Sequence, residues 1–203
     1  MRVAVIGASG TIGKAICELL SREGMEVIKA SRSTSPRIQI ENPASVESFY
    51  QEVGELDAVI CAAGNPAFGP LNELSDEQIQ ESFASKLAGQ IFVVRKGLDK
   101  INPGGIFILT GGTLAHQPWP GTSMAAMVNA ALEGFARAAA LDLTENRRII
   151  TIHPPLVKET APMFGIDDSP WPPAATVAQT YLDALKSEQT GVPLFVKGYE
   201  VKV

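Results

Sequence analysis

The chain has 203 residues with 17 Lys and Arg against 22 Asp and Glu, and its net charge of −5 argues against nucleic acid or an anionic membrane surface as main partner. Hydrophobic residues make up 45% of it, enough to bury one sizeable core, so a single domain over residues 1–203 is expected. No apolar run is long enough to span a bilayer and no leader pattern precedes the first strand, so a cytoplasmic protein is expected.

Residues 2–6 read as a short apolar strand, followed by glycines at 7, 10 and 13 and a helical pattern over 14–23. Gly7 permits a sharp turn, Gly10 lets backbone approach a pyrophosphate, and Gly13 lets the helix pack closely on the strand. The unpaired N–H groups of that helix would then face the anion. Gly7, Ser9, Gly10, Thr11, Ile12 and Gly13 are therefore the expected dinucleotide contacts, against the simpler reading of a tight turn that holds nothing.

Residues 26–30 read as a second strand and 37–40 as a third, reached without a helix. A helix over 43–53 begins with Pro43, which suits a first turn, and 57–62 is a nearly continuous apolar run, as in a strand buried on both faces. After a loop over 64–74, Ser75 and Gln78 make a capping box for a long helix reaching about Gly97. Its apolar stripe is Ile79, Phe83, Leu87, Ile91 and Val94, and Lys86 and Gln90 fall on the same side. A lysine there either faces a cofactor crevice or packs its stem and sends its head to water. A strand at 105–109, an Ala-rich helix at 123–143, a strand at 148–152, a helix at 174–185 and a strand at 193–196 complete the order.

This alternation predicts an α/β fold: a doubly wound parallel sheet of the Rossmann type in three αβα layers, with ligands outside the carboxyl ends of the strands. The irregular stretch 154–173, with its six prolines, is then placed to cover a substrate. Trp119, Met163, Phe164 and Trp171 would line its pocket, form a lid, or meet a second subunit. The second strand leads into Ser31, Arg32 and Ser33, where the usual acidic residue that favours NAD is missing. Arg32 offers a permanent planar cation to a 2′-phosphate and Ser31 does not repel one, so NADP (NADPH) is the expected cofactor. Cys17 and Cys61 read as buried thiols, Glu133 and Arg137 as an exposed helix pair, and His116 and His153 as isolated, so no metal site is expected.

Several segments in order resemble the short-chain dehydrogenase/reductase family. The glycine motif is one; Cys61-Ala62-Ala63-Gly64 is similar to the family's Asn-Asn-Ala-Gly, residues 132–143 to its active-site helix, and Ile152-His153-Pro154-Pro155 to its Pro-Gly segment. Thr190-Gly191-Val192-Pro193-Leu194-Phe195-Val196 resembles its closing strand. The resemblance implies cofactor contacts from Ala62, Ala63, Gly64 and Pro154, adenine contacts from Gln39 and Ile40, and a dimer or tetramer built on the two long helices. It also exposes departures. The family's Tyr-x-x-x-Lys pair falls at Ala125 and Asn129, its serine at Gly111 beside Thr110, and its helix asparagine at Lys86. Thr110 or Thr113 would then polarise a substrate and Lys86 would give electrostatic support, with His116 a further candidate acid and Tyr181 a packing residue. The expected function is an NADP-dependent oxidoreductase acting on a small carbonyl or hydroxyl compound with a degenerate catalytic set. The alternatives are a non-catalytic NADP sensor and a partner subunit.

Overall fold

The structure is a computed structural model, and it describes residues 1–201. Strands β1 (Arg2–Ile6), β2 (Glu26–Ala30), β3 (Leu56–Cys61), β4 (Ile101–Thr110), β5 (Arg148–His153) and β6 (Pro193–Phe195) form one parallel sheet in the order β2-β1-β3-β4-β5-β6. Residues alternate between its two faces. Val3, Val5, Ile60, Ile108 and Ile152 pack under helices α1 (Thr11–Arg22) and α6 (Ala174–Lys186). Ala4, Ile6, Val59, Leu109 and Ile149 pack under α2 (Pro43–Val53), α4 (Gly89–Gly97) and α5 (Ser123–Asp142). The three αβα layers of the doubly wound fold are thus as the sequence predicts. Among the described residues no helix is long and apolar enough to cross a membrane.

Two local expectations are corrected. Residues 37–40 form no strand; only an isolated bridge joins Arg37 to Ser31. The peptide groups a strand would present are taken by side chains: Ser31 N–H donates to Thr34 Oγ1 at 2.6 Å, and Gln39 N–H donates to Ser45 Oγ at 2.9 Å. The alternation there is real, since Ile38 and Ile40 are buried, but it anchors a loop.

The long helix is also interrupted. Its capping box forms as expected, with Ser75 Oγ accepting from Gln78 N–H and Gln78 Oε1 accepting from Ser75 N–H. Yet α3 (Asp76–Ser82) passes into a π-helical turn over Phe83–Ala88 before α4 begins. A wider turn shifts the phase of every later side chain. Phe83, placed in the predicted stripe, is exposed, while Ser82, Lys86 and Gln90 face inward.

Candidate functional site

The chain turns at Gly7, whose φ of +89° and whose approach to β3 both require glycine: a Cβ there would meet the Ala62 carbonyl oxygen at 2.6 Å. A Cβ on Gly13 would lie 2.1 Å from the Gly7 carbonyl oxygen. Gly10, extended at φ −79° and ψ 167°, precedes α1, and no side chain caps that helix. The first N–H groups of α1 are left for a ligand, beside the point between β1 and β3 where the strand order reverses.

From this turn a groove of about 390 Å³ extends along the carboxyl ends of β1 and β2. Gly7, Ser9, Gly10, Ser31, Arg32, Ser33, Ile40, Ala62, Ala63 and Gly64, all singled out from sequence, lie on its wall. Ile38, Glu41, Asn65 and Ser85 join them without having been singled out. Ser85 Oγ donates to Glu41 Oε1 at 2.9 Å and accepts from Asn65 N–H at 3.2 Å, which binds the loop after β3 to the π-helical turn. The carboxylate on this groove is therefore Glu41. Gln39, expected there, is exposed and off the wall, as is Thr11.

A second cavity, about 830 Å³, adjoins the first through Ala62 and Gly64. Ile12, Lys86, Thr110, Thr113, Ala125, Asn129 and Pro154 reach it, so of the residues singled out as site contacts only Thr11, Gly13 and Gln39 line neither space. Its outer wall is apolar and consists of Pro66, Phe68, Leu114, Trp119, Leu156, Phe164 and Ile166, several from the proline-rich stretch. Phe68 and Phe164 meet with ring centroids 5.3 Å apart. Met163 and Trp171, expected in this lining, are not part of it: Met163 is 80% exposed, and Trp171 backs Trp119 at 5.6 Å.

Lys86 is buried, and no carboxylate among the described residues pairs with it. Loss of hydration brings its ammonium down to a pKa of about 8, partly offset by Cys61, whose thiol burial pushes up to about 11. The loop after β3 crosses this lysine so closely that a Cβ on Gly64, at φ +107°, would lie 2.8 Å from the Lys86 Cα. Gln90 has a different task. Its carboxamide donates to the Thr110 carbonyl at 2.9 Å and accepts from the Thr110 N–H at 3.0 Å, completing the end of β4 as another strand would.

Thr110 Oγ1 lies 2.8 Å from Tyr181 Oη, so its hydroxyl is committed to the core tyrosine, whose own pKa is raised by burial. Ala125 and Asn129 lie one turn apart on α5 and both face the cavity. Asn129 is buried, and its Oδ1, covered beneath the cavity wall that the residue helps to form, has no hydrogen-bond partner. Gly111 and Gly112 close the wall beside it. A Cβ on Gly111 would strike the His153 ring at 2.7 Å, and one on Gly112 would strike Asn129 Nδ2 at 2.7 Å.

The expectation that His116 and His153 stand apart is corrected. His116 Nε2 lies 2.8 Å from Glu133 Oε2, and His153 Nε2 lies 3.4 Å from the same oxygen. Glu133 is accordingly buried, not half of an exposed pair, while its Oε1 accepts from Arg137. His116 is off the cavity wall. Burial holds the His153 imidazole below the usual histidine range, opposed by its bond to the Gly112 backbone. Residues 116, 133 and 153 are far apart in sequence, and only the packing of α5 on β5 and on the loop after β4 joins them.

The short chain dehydrogenase family model matches residues 1–166. Hydroxynaphthalene reductase arp2 of Aspergillus fumigatus is 34% identical over 148 residues, 70% of this chain and 54% of the reductase, so the chain spans about half the length of that relative. Among solved structures, the protein lin1944 from Listeria innocua superposes with a TM-score of 0.90 at 35% identity, covering 97% of this chain and 99% of that one. A small-chain dehydrogenase in complex with NADPH shares the fold, with a TM-score of 0.86, 24% identity, and coverage of 98% and 97%. By the extent of the family match and the identity to these relatives, the chain belongs to the short-chain dehydrogenase family.

Proposed function

We propose that the protein is an NADP-dependent oxidoreductase that interconverts a carbonyl and a hydroxyl group on a small, largely apolar compound, with a catalytic set that lacks the family's Tyr-x-x-x-Lys pair. The observation that carries this reading is the junction of two spaces: a glycine-walled groove ending at Arg32 opens, past Gly64 and Lys86, into an apolar cavity. The residues present fit the cofactor. Gly7, Ser9 and Gly10 with the uncapped N–H groups at the start of α1 would take the pyrophosphate, Ile12 would stand where the groove meets the cavity, Ser31, Arg32 and Ser33 would take the 2′-phosphate, and Ile40 would face the adenine. Ala62, Ala63, Gly64, Lys86 and Pro154 would hold the remainder, and the Asn129 carboxamide, whose buried Oδ1 has no partner, would have to turn toward the cavity to meet a hydroxyl of the ribose or substrate.

When bound, NADPH supplies the hydride, and the chain's own residues position and polarise. Buried and unpaired, Lys86 places a positive charge beside the reacting carbonyl, where low dielectric strengthens it. Thr113 offers the free hydroxyl of the wall, since Thr110 is engaged by Tyr181. The aromatic rim excludes water and favours a flat apolar substrate. Similarity to a hydroxynaphthalene reductase adds weight to an aromatic ketone or its hydroxyl product.

No side chain stands at Ala125 to deliver a proton, so reduction proceeds with protons from water and is slow. The test is a screen for NADPH oxidation with monocyclic and bicyclic aromatic ketones, run on the wild type and on an Ala125→Tyr, Asn129→Lys double variant. Weak turnover in the wild type and a gain of roughly 10²-fold or more in the variant support the reading, because positioned acid catalysis contributes about that much. Tight NADPH binding with no turnover in either protein would favour the second reading, a non-catalytic NADP sensor, which the absence of a proton donor at Ala125 supports.

A further inference from the structure

We propose that His116 Nε2, Glu133 Oε2 and His153 Nε2 form a site for a divalent transition-metal ion of the zinc class, behind the cavity wall and separate from the proposed NADP groove. Three donors from three elements converge there: the loop after β4, α5, and the end of β5. All lie within 4.8 Å of one another. With zinc bonds of about 2.0–2.1 Å, neighbouring ligand atoms in a tetrahedron stand about 3.3 Å apart. The Glu133–His153 separation of 3.4 Å already matches, the Glu133–His116 separation of 2.8 Å must open slightly, and the two histidine nitrogens, within 4.8 Å of each other, must draw together for both to reach one ion.

The hydrogen bonds around the two donors on Glu133 and His153 point the same way. His153 Nδ1 lies 2.9 Å from the Gly112 carbonyl oxygen and 3.2 Å from the Gly112 N–H, so the Gly112 backbone engages Nδ1 in either tautomer and leaves Nε2 to the Glu133 side. In the tautomer whose Nδ1 donates to the Gly112 carbonyl, Nε2 carries a lone pair 3.4 Å from Glu133 Oε2. In that tautomer the Nε2 and Oε2 lone pairs repel in a buried space, and a cation held between them relieves the repulsion. His153 is fully buried, and its Nε2 has no hydrogen-bond partner. Glu133 divides its two oxygens, giving Oε1 to Arg137 and Oε2 to the histidines, in the way outer partners orient a ligating carboxylate. Phe195 stacks on His153 with centroids 5.5 Å apart and walls the site on its apolar side. His116, at 16% side-chain exposure, leaves the entry path and the fourth position open to water. An ion here would tie the Gly111–Gly112 wall, α5 and β5 together.

The test uses the full chain, stripped with a chelator and titrated with Co²⁺ and then Zn²⁺. The expected result is one Co²⁺ per chain with the strong visible absorption of a tetrahedral site, displaced by Zn²⁺. His153→Gln and Glu133→Gln should each weaken binding by about tenfold or more. His116→Gln, at the exposed edge, should weaken it likewise while keeping the wild-type circular dichroism, which separates ligand loss from misfolding. Absence of saturable binding, or unchanged affinity in a folded His116→Gln variant, would overturn the proposal. So would a proton that stays on His153 Nε2 in nitrogen-detected NMR under excess Zn²⁺, for then a proton alone bridges the cluster.

Discussion

At the scale of single residues, Lys86 links stability to function. Burial lowers its pKa from 10.5 to about 8, so between these values the unfolded chain binds more protons than the folded one. Its contribution to stability therefore rises with pH across that window, and below pH 8 the destabilisation is complete, on the order of 3 kcal/mol. The thiol of Cys61, raised to about 11, acts in the opposite sense at high pH, so the informative quantity is the difference between wild type and a variant. Lys86→Met keeps the apolar stem and removes the charge. We expect it to stabilise the ligand-free protein at pH 7 by up to about 3 kcal/mol, with the gain shrinking as pH approaches 10.5, while NADPH binding weakens and residual turnover is lost. Thermal denaturation at a series of pH values and a cofactor titration check both halves. An unchanged melting temperature with wild-type binding would place the ammonium in water instead.

At the scale of elements, the junction of β1 and α1 is the most sensitive to a single methyl group. Gly13→Ala should destabilise the protein by roughly 1–3 kcal/mol, because its Cβ would overlap the Gly7 carbonyl, and urea denaturation measures the loss. This junction was legible because three glycines so spaced between a strand and a helix meet needs that few other sites share: a sharp turn, a bare backbone and close helix packing. The spans Glu26–Ala30 and Pro43–Val53 were equally legible, one from its strand-like composition and the other from Pro43 at the first helical turn. The π-helical turn was not, since one wider turn leaves no mark in residue type, and it moved Phe83 outward while Lys86 stayed inward. Residues 37–40 misled because burial alternated without a partner strand. The cluster of His116, Glu133 and His153 was invisible for a third reason: its members meet only through tertiary packing, and Glu133 followed by Arg137 has the spacing of an ordinary surface pair.

At the scale of the whole molecule, the outer face of α5 has little packed against it. Leu141 is 87% exposed, and a Cβ at Gly134 would meet nothing within 4 Å. We propose that this face joins a second copy of the chain; light scattering should then give a dimer or tetramer, and Gly134→Glu should shift it toward monomer. The central claim, that the groove from Gly7 to Arg32 is an NADP site, is tested most directly by titrating NADPH and NADH into the wild type and an Arg32→Ala variant, read by nucleotide fluorescence. The account predicts tighter binding of NADPH than of NADH in the wild type. In the variant, NADPH affinity should fall by roughly 1.5–3 kcal/mol, as for the loss of a charge-assisted hydrogen bond, with NADH nearly unchanged. Equal losses for both nucleotides, or no binding of NADPH at all, would contradict it.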